Sequence, residues 1–252
     1  MKFSYEDLLS GDQIFVSGVG HFKPPLVKDI KPTAGIGSWA YQLYLNILSW
    51  NKEDFFKFSR LINPRQAGIL SNDAGELGLF DVMTLIPPFR QTLQEALGFF
   101  LSEEIRWVEK EHRFCTTGAD GKEAGAICRD NFDDVRDMML QLNYINLEKA
   151  PLKHSSKKTA ALWERAQKRL KEESQKKAAD KTFSIGNIVS KLCAAQLGYT
   201  LLNIFDLTVF QLYDTFFQYG YLRAMDLNEM AFSNHGGDKF NLQDWLKPII
   251  QI

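Results

Sequence analysis

The chain has 252 residues, 45% hydrophobic and 13% aromatic, with 30 Lys+Arg against 31 Asp+Glu. This ordinary globular composition supports one sizeable core or two modest ones, and it excludes collagen-like, disordered and disulfide-rich classes. Three cysteines cannot build a disulfide framework and no secretory leader is recognisable, so a reducing cytosol is the expected setting.

Residues 4–10 predict a short helix capped by Ser4 and ended at Gly11. QIFVSGVGHFKPPLVKDIKP then predicts two short strands around a turn, punctuated by Gly18, Gly20, Pro24 and Pro25. Residues 33–50 predict a helix, because Trp39, Leu43, Tyr44, Ile47 and Leu48 recur at three- and four-residue spacing. Pro32–Asn51 carries no charge, yet Gln42, Asn46, several hydroxyls and two glycines make it too polar for a membrane span. A second helix follows Asn51 and closes at Asn63-Pro64. Residues 79–86 predict a short helix broken by Pro87-Pro88, and 89–104 an amphipathic one bearing Phe89, Leu93, Leu97 and Phe100. IRWVEKEHRFC and AGAICR around TTGADGKE predict a β-hairpin. Asn131 or Asp130 then caps a helix to about Tyr144, with Phe132, Val135, Met139 and Leu142 as its buried stripe.

Charge is unevenly spread. Residues 153–181 hold ten Lys/Arg and four Asp/Glu, a surplus of +6 inside a chain whose formal net charge is −1. Good helix formers dominate there, and the apolar stripe of Trp163, Ala166 and Leu170 is narrow. The favoured reading is an exposed connecting helix. A nucleic-acid arm using Lys157, Lys158, Arg165, Lys168 and Arg169 is the alternative, although no aromatics interleave with the lysines.

Residues 183–196 predict another helix, and 203–232 are the most aromatic part of the chain. Phe205, Val209, Leu212 and Phe216 make one stripe; Phe210, Tyr213, Phe217 and Tyr221 make a neighbouring one. Two stripes mean a wide buried face, either in a core or against a partner. SNHGG ends this helix, and 242–247 make a last short turn. The expected class is α+β, predominantly α-helical with two small β-hairpins at about residues 13–31 and 105–129. The expected division is a mixed region 1–150, a basic helix 151–182 and an aromatic helical region 183–252.

Candidate chemistry is thin. Ser17-Gly18-Val19-Gly20-His21 lacks both the third glycine of a dinucleotide fingerprint and a P-loop ending, so a hairpin turn is the better reading. Gly35-Ile36-Gly37 reads as an adaptable helix entry before an anion cradle. His112, Cys115 and Cys128 make three of the four ligands a structural zinc needs; the two cysteines are also possible cross-strand partners. Cys193 lies in an apolar pattern as a core thiol. His21, His154 and His235 lie in turns or at a helix start, beside no recognisable nucleophile. Asp133-Asp134 opens a helix, where carboxylates are favoured, and Glu103-Glu104 closes one on its solvated side. No enzyme, cofactor or metal is expected.

Four stretches carry a resemblance: GVGHFKPPLVKDIKPTAGIGSWAYQLYLNILSW, NFDDVRDMMLQLNYI, KHSSKKTAALWERAQKRLKEE, and LTVFQLYDTFFQYGYLRAMDLN followed by SNHGG and DWLKPI. Together they resemble proteins of the tail-morphogenesis modules of tailed phages and prophages of Gram-positive bacteria, most of all tail assembly chaperones. The resemblance implies a helical, non-enzymatic protein in the cytoplasm of the infected or lysogenic host. It would bind the tape-measure protein before tail subunits polymerise around it, and possible further partners are other copies of itself. On this reading Phe205, Phe210, Tyr213, Phe216, Phe217 and Tyr221 are the candidate client-binding side chains. A structural virion component, in the tail or neck connector, is the rival within the same class.

Overall fold

The computed structural model describes residues 2–31, 35–52, 55, 77–145, 148–149, 184–235 and 250–251. Contacts divide the chain into two units: Met1–Asn146 with Asp206–Phe210, and Leu147–Phe205 with Gln211–Ile252. The described residues form an α+β structure in which helix outweighs strand.

In the first unit, α1 (Tyr5–Ser10) starts with a reciprocal cap. The Asp7 N–H donates to Ser4 Oγ at 3.1 Å and the Ser4 N–H to Asp7 Oδ2 at 3.3 Å, and Gly11 at φ 74° ends the helix. Strands β1 (Ile14–Val16) and β2 (Gly20–Phe22) pair antiparallel. The hairpin expected over 13–31 is confined to this stretch. Pro24 and Pro25 have no N–H for a ladder, and Val27–Ile30 closes into a 3-10 turn instead. Helix α2 (Gly37–Ser49) buries Tyr41, Leu45, Ile47 and Leu48. Lys52 and Phe55 are helical, and the rest of the helix expected after Asn51 lies outside the described residues.

Helix α3 (Leu79–Leu85) is followed at once by α4 (Pro87–Phe100). The proline pair that stops one helix starts the next, because a first-turn residue needs no N–H. Helix α4 ends at Phe100 and not at Glu104, since the chain is drawn into pairing with β2. The Lys23 N–H donates to Phe100 O at 2.8 Å, the Ser102 N–H to His21 O at 3.0 Å, and Leu101 bridges Phe22.

The hairpin expected over 105–129 is a three-stranded antiparallel meander: β3 (Glu104–Val108), β4 (Arg113–Thr117) and β5 (Glu123–Ile127). The apparent single strand IRWVEKEHRFC folds back on itself at Glu109–His112, where charged residues suit a turn and His112 adopts φ 50°. Helix α5 (Phe132–Gln141) buries Phe132, Val135, Met138 and Met139. Asn131 does not cap it through its side chain; it accepts from the Cys128 N–H at 2.9 Å and donates to Ala126 O at 2.8 Å, pinning the loop.

Phe22, Phe80, Phe100, Phe114, Phe132 and Phe210 are among the fully buried side chains of this unit. The Tyr41 hydroxyl donates to Asn143 Oδ1 at 2.6 Å and Asn143 Nδ2 to Met139 O at 2.6 Å, so these buried polar groups satisfy each other. Residues 206–210 complete the unit. The Val27 N–H donates to Leu207 O at 2.9 Å, the Val209 N–H to Pro25 O at 2.8 Å, and the Phe210 ring meets Tyr5 and Tyr144 at 6.1 and 5.2 Å.

In the second unit, β6 (Glu148–Lys149) pairs antiparallel with β7 (Ile250–Gln251). Helix α6 (Ile185–Ala194) is capped by Ser184, and it buries Ile188, Val189 and Leu192 as a helical stripe should. The aromatic helix α7 (Val209–His235) begins after a separate 3-10 turn at Ile204–Asp206, so Phe205 stands outside it. The basic segment 151–182 and the turn expected at 242–247 lie outside the described residues. Among the described residues no helix is long and apolar enough to cross a membrane.

Candidate functional site

The aromatic residues singled out on and before α7 fall into different surroundings. Phe210 has no exposed surface and serves the interior of the first unit. Phe205, Tyr213, Phe216, Phe217 and Tyr221, all in the second unit, are part-exposed. Tyr213 and Phe217 stack at 6.5 Å with 22° between planes; Phe216 meets Phe217 edge-on at 5.7 Å and carries the Lys191 ammonium over its ring. Burial pushes the Tyr213 hydroxyl above the ordinary tyrosine range.

Further along the helix the burial stops but the apolar residues continue. Leu222, Leu227 and Met230 are 42%, 57% and 51% exposed. A second apolar display was missed by reading periodicity: Leu197, Leu201 and Leu202, the last 92% exposed, sit in the connection after α6. That connection is ordered by its own hydrogen bonds. Asn203 Oδ1 accepts the Thr200 N–H at 2.7 Å, and Asn203 Nδ2 donates to Gly198 O at 3.3 Å. The available signal was a leucine-rich stretch held between Gly198 and Asn203, with no helical spacing to bury it.

The first unit holds a polar pair that the sequence concealed. Glu103, expected on a solvated helix end, is buried: its side chain is 5% exposed, against 48% for His21. Both its oxygens accept the His21 backbone N–H at 2.9 Å, and Oε1 lies 2.8 Å from His21 Nδ1. A carboxylate only accepts, so the ring donates to it from Nδ1. Gly20 makes room for this, since at φ 131° a Cβ would lie 2.5 Å from the Glu103 carboxyl carbon. On the meander side Gly125 makes room in the same way: Gly18 O accepts the Ala126 N–H at 2.9 Å, and a Cβ on Gly125 would stand 2.2 Å from that oxygen. The Gly18–Gly20 run is therefore a hairpin shaped for close backbone packing on the meander. The His21–Glu103 hydrogen bonds fasten it.

Cys115 and Cys128 are free thiols, as is Cys193. Cys115 faces Arg106 and Ala126 across the meander, so Cys128 is not its ladder partner, and burial is the main cause that raises its thiol's pKa. His112 instead packs its ring at 5.0 Å from Trp107, with Nε2 3.3 Å from Thr84 Oγ1. Among the described residues no group of three His, Cys, Asp or Glu is placed to hold a metal ion. Lys157, Lys158, Arg165, Lys168 and Arg169 lie outside the described residues.

Comparison with curated proteins and with solved structures finds no match for the chain. Residues 174–250 match a family model described as the YomV second domain, less than half of the chain. The matched stretch lies within the region that carries α6, both leucine displays and α7. It suggests a phage-related protein.

Proposed function

We propose that this protein is a phage tail-assembly factor that works by protein–protein binding, and that its client is the tape-measure protein. It acts without catalysis, in the cytoplasm of the bacterial host, before the tail polymerises. One observation carries the reading: within residues 174–250 large apolar side chains are held at the surface, with Leu201 and Leu202 65% and 92% exposed. Single exposed leucines are ordinary, but several in one region mark a surface that meets another molecule. A long amphipathic client helix offers the complementary apolar stripe.

Co-expression of the full chain with the tape-measure protein of the same phage tests it. The two should co-purify, and Leu201→Ser with Leu202→Ser should abolish this without altering the thermal unfolding of the chain. Mass spectrometry of mature particles separates the two roles within this class. A chaperone is absent from them, whereas recovery at fixed stoichiometry makes the protein a virion component.

A further inference from the structure

The meander has one edge, along β3, that pairs with no further strand among the described residues. In an antiparallel pair, alternate residues bond to the neighbouring strand and those between point their N–H and C=O outward. Gln94 Nε2 donates to Ile105 O at 3.0 Å from outside the sheet, so Ile105 and Trp107 are the outward-pointing residues of β3. Of their four edge groups, only the Ile105 carbonyl has a partner among the described residues. An open cleft of about 500 Å³ lies beside this edge, lined by Pro87, Arg90, Gln91, Gln94 and Glu95 of α4 and by Trp107. Since Gln94 reaches Ile105 and Arg90 lies over the Trp107 ring, helix and strand run in opposite directions along it.

We propose that this cleft takes an extended peptide segment of another protein, added antiparallel or parallel to β3 as a fourth strand and carrying a lysine or arginine opposite Glu95. Residues 87–95 of the helix rise about 12 Å, the length of about four extended residues. Backbone groups repeating at every second residue fit an extended chain and not a helix. The charge of the lining selects its character. Arg90 is neutralised by Glu109 at 2.9 Å, which also accepts the Trp107 indole N–H at 2.6 Å. Glu95 accepts from the Gln91 amide at 3.1 Å and forms no ion pair among the described residues. An anionic ligand such as a phosphate chain finds no free cation among the lining residues, whereas a basic side chain finds a carboxylate. The site lies wholly in the first unit and is independent of the client surface proposed above.

A random heptapeptide library selected against the full chain tests this directly. The selected peptides should carry a basic residue and slow hydrogen exchange at the Ile105 and Trp107 amides, which have no hydrogen-bond partner among the described residues, leaving Arg106 and Val108 as they were. Gln91→Trp, at an exposed position, fills the cleft and should weaken binding by at least about tenfold while leaving the fold's thermal transition in place. Glu95→Lys should turn the preference from basic to acidic peptides. Selection of no peptide, protection at other amides, or binding indifferent to both substitutions overturns the proposal. Loss of tape-measure binding with peptide binding intact leaves it standing, so the two readings fail separately.

Discussion

The two ends of α7 are built from the same kinds of residue and are treated in opposite ways. Val209, Phe210 and Leu212 expose nothing, whereas Leu222, Leu227 and Met230 are about half open. Hydrophobicity therefore does not mark the function of this helix; the presence or absence of covering neighbours does. The buried end contributes to stability. The open end holds apolar surface in water, which folding alone gives no reason to keep.

Substitutions along the helix should reproduce that contrast. Phe210→Ala empties a fully enclosed site and should cost about 3–5 kcal/mol in denaturant unfolding. A loss well below this would mean the ring is not the core element its burial indicates. Glu103→Ala gives an intermediate reference inside the first unit, leaving the His21 N–H without its acceptor at a cost of about 1–3 kcal/mol. The transition between the two ends lies near Tyr213, and pH probes it. Burial raises its folded pKa, so above about pH 10 the unfolded chain releases the phenol proton more readily than the folded one. Its contribution is complete below the unfolded pKa and is lost as pH rises through the folded one. Tyr213→Phe should remove that part of the alkaline loss. At the open end, Leu222→Ser, Leu227→Ser and Met230→Ser should each change stability by less than about 0.5 kcal/mol, yet reduce client capture in pull-down. A large stability loss there would make the distal half a structural face.

Local rules were legible where the chain settles its own geometry. The Ser4 cap, the Gly11 stop and the buried stripe of α5 follow from neighbouring residues alone, and the sequence shows them. What it concealed depends on residues far apart. Glu103 reads as a helix-end acid until His21, 82 positions away in sequence, and its neighbour Gly20 are placed beside it. The turn at Glu109–His112 was hidden because Trp107, Val108, His112 and Phe114 together read as one continuous strand. Pairing with Arg113–Thr117 supplies the partner that bends it back. The candidate surface was half legible. Aromatic stripes pointed to α7, but periodicity cannot separate Phe210, which is enclosed, from Phe217, which is not. Leu201 and Leu202 follow no period at all, and only their exposure brings them forward.

The membership of residues 206–210 in the first unit has a consequence for synthesis. A chain leaving the ribosome reaches Asn146 with most of that unit in hand, but its Phe210 and the strand-like bonds to Pro25 and Val27 come more than fifty residues later. The unit must wait, with the Phe210 site between Tyr5 and Tyr144 unfilled, until the start of α7 emerges. A fragment cut to residues 174–250 would carry Phe210 away from the rings that enclose it. Proteins expressed with the two stretches on one chain should stay soluble where the separated pieces aggregate.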